Sequence, residues 1–401
     1  MKIVIYLKYL LLYLFFVSFS LYAEDNTVLS SFSDWKVEFK EAASDCLVSE
    51  NTLNKYLPQI SLQKHLIKIS KRQPEFTKSI WSYVDSAVSF QRVRKGRKLL
   101  AKHTDLLAKI TEEYGVPGEY IIAIWGLETS YGSNFGRSSI LNALASLAYG
   151  SDRKMFFQRE LCAALRLLQN EQIDDKQFVG SWAGAMGHTQ FMPSTFEKYA
   201  VDFDKDGRKD LWGNLGDAFA STANYLSQSG WEAGERWAIE VQLPEKFTLS
   251  LAEPTVWLSV KEWGELGIVH ADGRRLNSLD NDDARLYLPA GRQGPIFLTF
   301  RNFQVIKEYN NSDSYVLSVG YLAHRVRGGQ PLVSKWPRKD APLSFTQKKD
   351  LQFLLTVLGY DTGGIDGKIG ENTRQALRAW QRDMGVPEDG YVTKELLVLL
   401  K

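Results

Sequence analysis

The stretch TEEYGVPGEYIIAIWGLETSYGSNFG at 111–136 sets one ionisable group, Glu128, directly behind 121–127, a run with no charged or hydroxyl-bearing side chain. On a helix, Trp125, Ile124 and Ile121 lie three, four and seven positions before it, so the carboxyl rides an apolar stripe. Burial there disfavours the charged form and predicts a raised pKa. A glutamic acid kept protonated near neutral pH can donate a proton to a glycosidic oxygen. Glycoside cleavage ordinarily calls for a second carboxylate as base or nucleophile. Residues 129–151 contain neither Asp nor Glu, and the next acid is Asp152. The pattern suits a reaction run on one carboxylate. Most helical glutamates are solvated surface residues, and the apolar context on every side argues against that here.

A second group of candidate ligands follows. Asp202, Asp204, Asp206 and Gly207 reproduce the D-x-D-x-D-G opening of an EF-hand loop, with Asp210 at its ninth position. The twelfth position, normally a bidentate Glu, is Gly213, so the loop is broken at its strongest ligand. A plain Asp-Gly turn explains the same residues without metal. A bound ion would fasten the loop and take no part in chemistry. Cys46 and Cys162 are too few for a disulfide framework or a Cys-rich metal site. An exported chain could bridge them, but spacing leaves that open, and Cys162 reads as a small helix-core residue.

The elements that must hold these groups are mostly helical. Apolar residues recur at three and four spacing from about 30 to 230, with Gly115 and Pro117 punctuating the start of the helix that carries Glu128. Between 236 and 309, RWAIEVQLP alternates Trp237, Ile239, Val241 and Leu243, and ARLYLP and PIFLTF are short β-type runs. A small sheet is thus inserted in a mainly α body. Helix returns over 314–328, and three prolines between 331 and 342 mark a linker. Residues 343–401 read as three short helices. Ser344 and Gln347 form a capping box, and Leu351, Leu354, Leu355 and Leu358 make one face before Gly359. Ala376, Leu377, Trp380 and Met384 point inward before Gly385, and Thr393 opens the third helix.

Lys2 and Lys8 precede an uncharged apolar stretch at 9–23, and Glu24 and Asp25 follow. That is the layout of an export signal cleaved near Ala23, and its apolar run falls short of the ~20 residues that span a bilayer. No cysteine lies near its end, so a lipid-modified N-terminus is not expected. The 401 residues carry 49 Lys plus Arg against 47 Asp plus Glu, and removing Lys2 and Lys8 leaves the mature chain balanced. A neutral chain gives no support for nucleic-acid binding. With 44% hydrophobic and 24% charged residues, disorder and a multi-span membrane protein are excluded.

DGKIGENTRQALRAWQRDMGVPEDG at 366–390 resembles the peptidoglycan-binding module of bacterial wall enzymes in its D-G-x-x-G-x-x-T-x-x-A-[LV]-x-x-[FW]-Q core. Residues 111–136, SWAGAMGHTQFMPSTFEKYAVDFDKDGRKDLW at 181–212, DAFASTANYLSQSGW at 217–231 and NFQVIKEYNNSDSYVLSVGYLA at 302–323 are similar to successive blocks of the family type B lytic murein transglycosylases. Beside the export signal at 1–23 and the linker at 331–342, the resemblance implies a lysozyme-like catalytic domain at 24–330 with a small inserted β-subdomain and a peptidoglycan-binding domain at 343–401. It implies non-hydrolytic cleavage of the β-1,4 bond between N-acetylmuramic acid and N-acetylglucosamine. Glu128 would act first as acid and then as base on the muramyl C6 hydroxyl, closing a 1,6-anhydro ring, so the substrate supplies the nucleophile and no cofactor is required.

By position in the family's blocks, Ser181, Gln190, Tyr225, Tyr309, Asn310 and Tyr315 are substrate-binding, joined by Arg153 and Tyr83. For each aromatic, core packing explains the residue equally well. His188 falls at a variable position and receives no catalytic role. The family's calcium loop is closed by an Asp at the start of the following helix, which is Asp217 here, so Asp202, Asp204, Asp206 and Asp217 are the candidate ligands of a structural calcium ion. The loop is one residue longer than the best-known form. The resemblance further implies a periplasmic monomer that meets peptidoglycan glycan strands and proteins of wall synthesis or division. Two alternatives stand beside it, a muramidase hydrolysing the same bond and a catalytically silent wall-binding protein. The module at 343–401 holds eight basic and eight acidic side chains, so its wall affinity rests on shape, stacking and hydrogen bonds. As a separable anchor, its removal is expected to spare the turnover of short glycans.

Overall fold

The computed structural model describes residues 31–72, 79–173, 175 and 178–401; the export signal expected at 1–23 lies outside them. The helical body opens with Phe32–Ala42 (α1), Glu50–Tyr56 (α2), Lys64–Arg72 (α3), Ile80–Ala87 (α4), Phe90–Lys102 (α5) and Thr104–Tyr114 (α6). Ser31, Ser49, Ser79 and Ser89 each start one of these by accepting the N–H three residues on, a donor that no helical carbonyl could satisfy. Gly118–Thr129 (α7), Ile140–Gly150 (α8), Lys154–Gln169 (α9), Pro193–Tyr199 (α10) and Leu215–Gln228 (α11) complete its first part. Ser138–Ser139 (β1) pairs antiparallel with Val179–Gly180 (β2), a ladder too short for periodicity to show.

The inserted sheet holds Ala238–Gln242 (β3), Leu258–Ser259 (β4), Val269–His270 (β5), Asp283–Tyr287 (β6) and Ile296–Thr299 (β7), in the order β4-β6-β7-β3-β5. All its pairs are antiparallel, and Leu298 lies opposite Ile239 on one side and Leu286 on the other. Val260–Glu265 (α12) closes its apolar side with the fully buried Trp263, whose Nε1 donates to the Ala284 carbonyl at 2.9 Å. Arg301–Tyr309 (α13) and Asp313–Val326 (α14) then return to the helical body. Helix α7 lies in the middle of that body, its core shared with α4, α5, α6, α11, α13 and α14.

A bond between Cys46 and Cys162 ties the segment after α1 to the middle of α9, closing the pair that spacing leaves open. Cys162 is at the same time a buried core residue, so the two readings of it are compatible.

Residues 331–342 differ from a free linker. Leu332 and Trp336 pack on the central core, and the Trp336 ring lies 6.5 Å from that of Trp81. The N–H groups of Val333 and Ser334 donate to the Glu240 carboxylate at 2.9 and 2.8 Å, and Arg338 pairs with Asp85. The prolines do break helix; the Leu, Trp and Arg between them make the strap adhere.

The last unit contains Phe345–Val357 (α15), Glu371–Asp383 (α16) and Lys394–Leu399 (α17) around Leu351, Leu355, Leu377, Trp380 and Leu397. Leu358 and Met384, expected inward, are 52% and 60% exposed. Each is a C-cap residue, where the chain leaves helical periodicity ahead of Gly359 at φ +94° and Gly385 at φ +67°. The unit is seated on the sheet side of the body. The Arg292 N–H donates to Asp389 Oδ2 at 3.3 Å, and Arg382 pairs with Glu253 at 3.2 Å.

Candidate active site

The local sequence explains why Glu128 is presented where it is. Gly115, at φ +74°, closes α6, and Pro117 enters α7 in an extended conformation. Residues 120–126 are all buried, so α7 is packed on every side. Ser130 and Tyr131 then adopt left-handed φ values of +53° and +61°, and the helix stops at Thr129. Tyr131 is held in that turn by a 2.9 Å hydrogen bond from its hydroxyl to the Arg92 carbonyl, with its ring over Gly126, where a Cβ would come within 2.7 Å. The sharp stop leaves Glu128 in the last turn, lining a cavity of about 920 Å³.

Burial raises the Glu128 carboxyl from its ordinary 4.5 to about 7, and a hydrogen bond from Tyr315 partly opposes the rise. The C-terminal end of a helix dipole pushes in the same direction as burial. The Tyr315 hydroxyl donates to Glu128 Oε1 at 2.6 Å. Burial also drives the hydroxyls of Tyr315 and Tyr309 well above 10, so both remain donors. The Tyr309 ring lies parallel to Tyr315 with centroids 6.4 Å apart, and its hydroxyl donates to the Thr189 carbonyl at 2.6 Å. Tyr225 stacks on Tyr309 at 5.0 Å and donates to the Glu308 carbonyl at 2.7 Å; Tyr199 stacks on Tyr225 at 4.3 Å. A ladder of four tyrosines thus runs outward from the carboxyl.

Tyr83, Asn310 and Tyr315 line the same cavity as Glu128. Tyr309 and Tyr225 join the group through the ladder and not through the cavity wall. Gln190, at φ +55°, donates from Nε2 to the carbonyls of Gly187 at 3.0 Å and Phe135 at 3.4 Å. Ser181 Oγ accepts the N–H of Ala185 at 2.9 Å and of Ala183 at 3.3 Å, which folds the loop it begins. Arg153 stacks its guanidinium 4.0 Å from the Phe156 ring centroid, and neither it, Ser181 nor Gln190 is a lining residue of that cavity.

Three features gave no linear sign. Trp125 Nε1 donates to His188 Nδ1 at 2.8 Å, and Thr129 Oγ1 donates to the His188 carbonyl at 2.8 Å, so α7 and the 181–191 loop are fastened together. Burial holds the His188 imidazole down to about 4, so it is the neutral acceptor this contact needs. The cavity's far wall comes from the C-terminal unit through Gln352, Asp366, Lys368, Arg374 and Tyr391. Three further acids line the cavity, and each is engaged. Asp313 pairs with Lys307 at 2.8 Å, Glu371 with Arg378 at 3.5 Å, and Asp366 accepts from Gln352 Nε2 at 3.0 Å and the Lys368 N–H at 2.8 Å.

In the aspartate loop, Asp202, Asp204 and Asp217 each bring an oxygen within 4.8 Å of the others. Asp206 stands outside that trio, accepting the Arg208 N–H at 2.8 Å. Asp217 is fully buried, and its two oxygens accept the N–H groups of Phe203 and Asp210 at 2.8 Å each. Its pKa is raised by burial, to which the charges of Asp204 and Asp202 add. Three converging oxygen donors that repel one another fit a hard divalent cation such as calcium.

Comparison with known proteins identifies the family. The model of the transglycosylase SLT domain matches residues 31–324, and that of a peptidoglycan binding domain matches 347–400. Membrane-bound lytic murein transglycosylase B of Escherichia coli K12 is 32% identical over 266 residues, which is 64% of this chain and 70% of that protein. The structure of SltB3 from Pseudomonas aeruginosa in complex with NAG-anhNAM-pentapeptide is 44% identical, with a TM-score of 0.87 over 92% of this chain and 99% of that one. The Escherichia coli lytic transglycosylase SLT35 in complex with calcium is 28% identical, with a TM-score of 0.62 over 73% of this chain and 92% of that one. No described helix is long and apolar enough to cross a membrane. With a part-buried glutamic acid at the end of an apolar helix and a helical unit walling the cleft, the chain belongs to the transglycosylase SLT domain family and carries a peptidoglycan binding domain at its C-terminal end.

Proposed function

We propose that this protein is a lytic transglycosylase that cleaves the β-1,4 bond between N-acetylmuramic acid and N-acetylglucosamine in peptidoglycan and leaves 1,6-anhydromuramyl ends. The observation that carries the reading is Glu128. Its pKa of about 7 lets it hold a proton at neutral pH, and it lines a cleft whose other carboxylates are already engaged. Tyr315 occupies Oε1, which leaves Oε2 to carry the proton. Protonated Glu128 gives that proton to the leaving O4 as the bond from C1 to O4 breaks. The resulting carboxylate takes the proton of the muramyl C6 hydroxyl as O6 bonds to C1. Acid is regenerated and no water is consumed.

Tyr83, Asn310 and Tyr315 would meet the sugars beside Glu128, with Tyr309 and Tyr225 bracing them through the ladder and Ser181, Gln190 and Arg153 shaping the loops around it. Asp202, Asp204 and Asp217 would hold a calcium ion that stiffens the loop, with Asp206 on the loop outside the trio. The residues divide into a catalytic domain at 24–330, a strap at 331–342 and a wall-binding domain at 343–401, in a protein exported to the periplasm. Mass spectrometry of the products released from purified sacculi tests the reaction. Anhydromuramyl ends are expected, and reducing muramyl ends would establish a muramidase in its place.

A further inference from the structure

The cavity that begins at Glu128 ends against the C-terminal unit, and that end collects donors with nothing to donate to. Among the described residues, Arg374 Nε and Gln304 Nε2 are buried without a hydrogen-bond partner. Arg374 lines the main cavity, and Gln304 lines an adjoining one of about 360 Å³. Lys307, Asn311 and Glu371 line both, so the two spaces share a wall. Tyr287, Asp313 and Glu371 all lie within electrostatic reach of Arg374.

The anions at this seam are engaged by cations other than Arg374. Asp313 is held by Lys307 at 2.8 Å and Glu371 by Arg378 at 3.5 Å. Arg374 makes no ion pair among the described residues, whereas on the smaller cavity Arg285 and Lys307 are matched in number by Glu308 and Glu371. A buried donor left unsatisfied is costly, so two of them on adjoining cavities point to a ligand. A planar guanidinium suits a carboxylate.

On the proposed substrate the sugars themselves are uncharged, because their amines are acetylated and the muramyl lactyl group is consumed as an amide. The free carboxylates of the polymer belong to the peptide carried on that lactyl group. We propose that Arg374 forms a subsite for a carboxylate of the stem peptide on the muramyl residue in the cleft. The wall-binding unit would then select substrate at the site of cleavage. This rests on the reading of the cleft as a peptidoglycan site.

The test uses the full chain and two substrates, glycan oligomers that carry stem peptides and the same oligomers stripped of peptide by an amidase, with the lactyl carboxylate thus freed capped again as its methylamide. The readout is the ratio of kcat/KM for the two. In Arg374→Gln that ratio falls about tenfold or more, chiefly through KM on the peptide-bearing substrate, as expected for losing one charge-assisted hydrogen bond. A ratio equal to that of the unaltered protein, whether both rates fall together or neither does, overturns the subsite. Arg374→Lys keeps charge and bulk and loses the fork. With a melting temperature matching the unaltered protein, it lowers the ratio several-fold, and an unchanged ratio counts against the proposal in the same way. Reducing ends in place of anhydro ends would overturn the reaction proposed above and leave the ratio to stand or fall by itself.

Discussion

Replacing Glu128 by Gln separates the catalytic role of this residue from its cost to the fold. The unfolded chain ionises Glu128 from about pH 4.5, whereas the folded chain holds the proton to about pH 7. Between those values the native state binds more protons than the unfolded state, so stability falls as pH rises, and it levels off above pH 7. At about 1.4 kcal/mol per pH unit, the gap from 4.5 to about 7 amounts to about 3 kcal/mol, and solvent at the cleft mouth trims this to about 2–3. Glutamine keeps the shape, accepts the Tyr315 hydroxyl and never ionises. Glu128→Gln is therefore expected to match the parent in stability near pH 4, to exceed it by about 2–3 kcal/mol at pH 8, and to release no anhydromuramyl products at either pH. Urea unfolding at several pH values measures the first two, and product analysis the third. A stability difference that does not vary with pH would refute the buried-acid argument, and retained product release would remove Glu128 from the reaction.

Two further perturbations bear on the scaffold. The bond between Cys46 and Cys162 closes a sequence separation of 116 residues, so Cys46→Ser is expected to cost about 2–5 kcal/mol in urea unfolding, and equal midpoints for the two proteins would deny the bridge a stabilising role. Calcium added to chelator-treated protein is expected to raise the melting temperature, by about 2.7 kcal/mol of stability at a hundredfold excess over its dissociation constant, and Asp217→Asn should abolish the rise; no rise in the unaltered protein would mark the loop as a plain turn.

What could be read along the chain is what depends on local pattern. The apolar run 121–127 made α7 a buried helix and put Glu128 at its end, because periodicity and burial are the same information. The alternation of Trp237, Ile239, Val241 and Leu243 marked β3, and the capping box at Ser344 and Gln347 marked the start of α15. The acid trio was half legible. Asp202 and Asp204 stand in a motif, whereas Asp206, which the motif includes, turns to the Arg208 N–H instead. The errors at Leu358 and Met384 came from extending helical periodicity one residue past its last turn. What could not be read are pairings across sequence. Trp125 meets His188 across 63 positions, and Tyr315 meets Glu128 across 187, and only the folded backbone brings such partners together.

The strap at 331–342 shows most clearly why the C-terminal unit is no detachable anchor. Prolines signal that helix is broken and say nothing about adhesion, which here comes from Trp336 against Trp81, Arg338 with Asp85, and two N–H groups on Glu240. Trp81 belongs to α4, as does Tyr83, which lines the cleft beside Glu128. The strap therefore pins the C-terminal unit to the helix that shapes one wall of the cleft, while Arg374, Tyr391 and Gln352 supply the opposite wall. Removing residues 341–401 takes away that wall and opens the charges of Asp313 and Lys307, two residues before and eight before Tyr315, to water. Tyr315 is the donor that fixes Glu128 Oε1, so the expectation that truncation spares short glycans conflicts with the packing. The unit that matches a peptidoglycan binding domain and the proposed acid line the same cavity, so truncation is expected to lower the turnover of short glycans as well as wall binding.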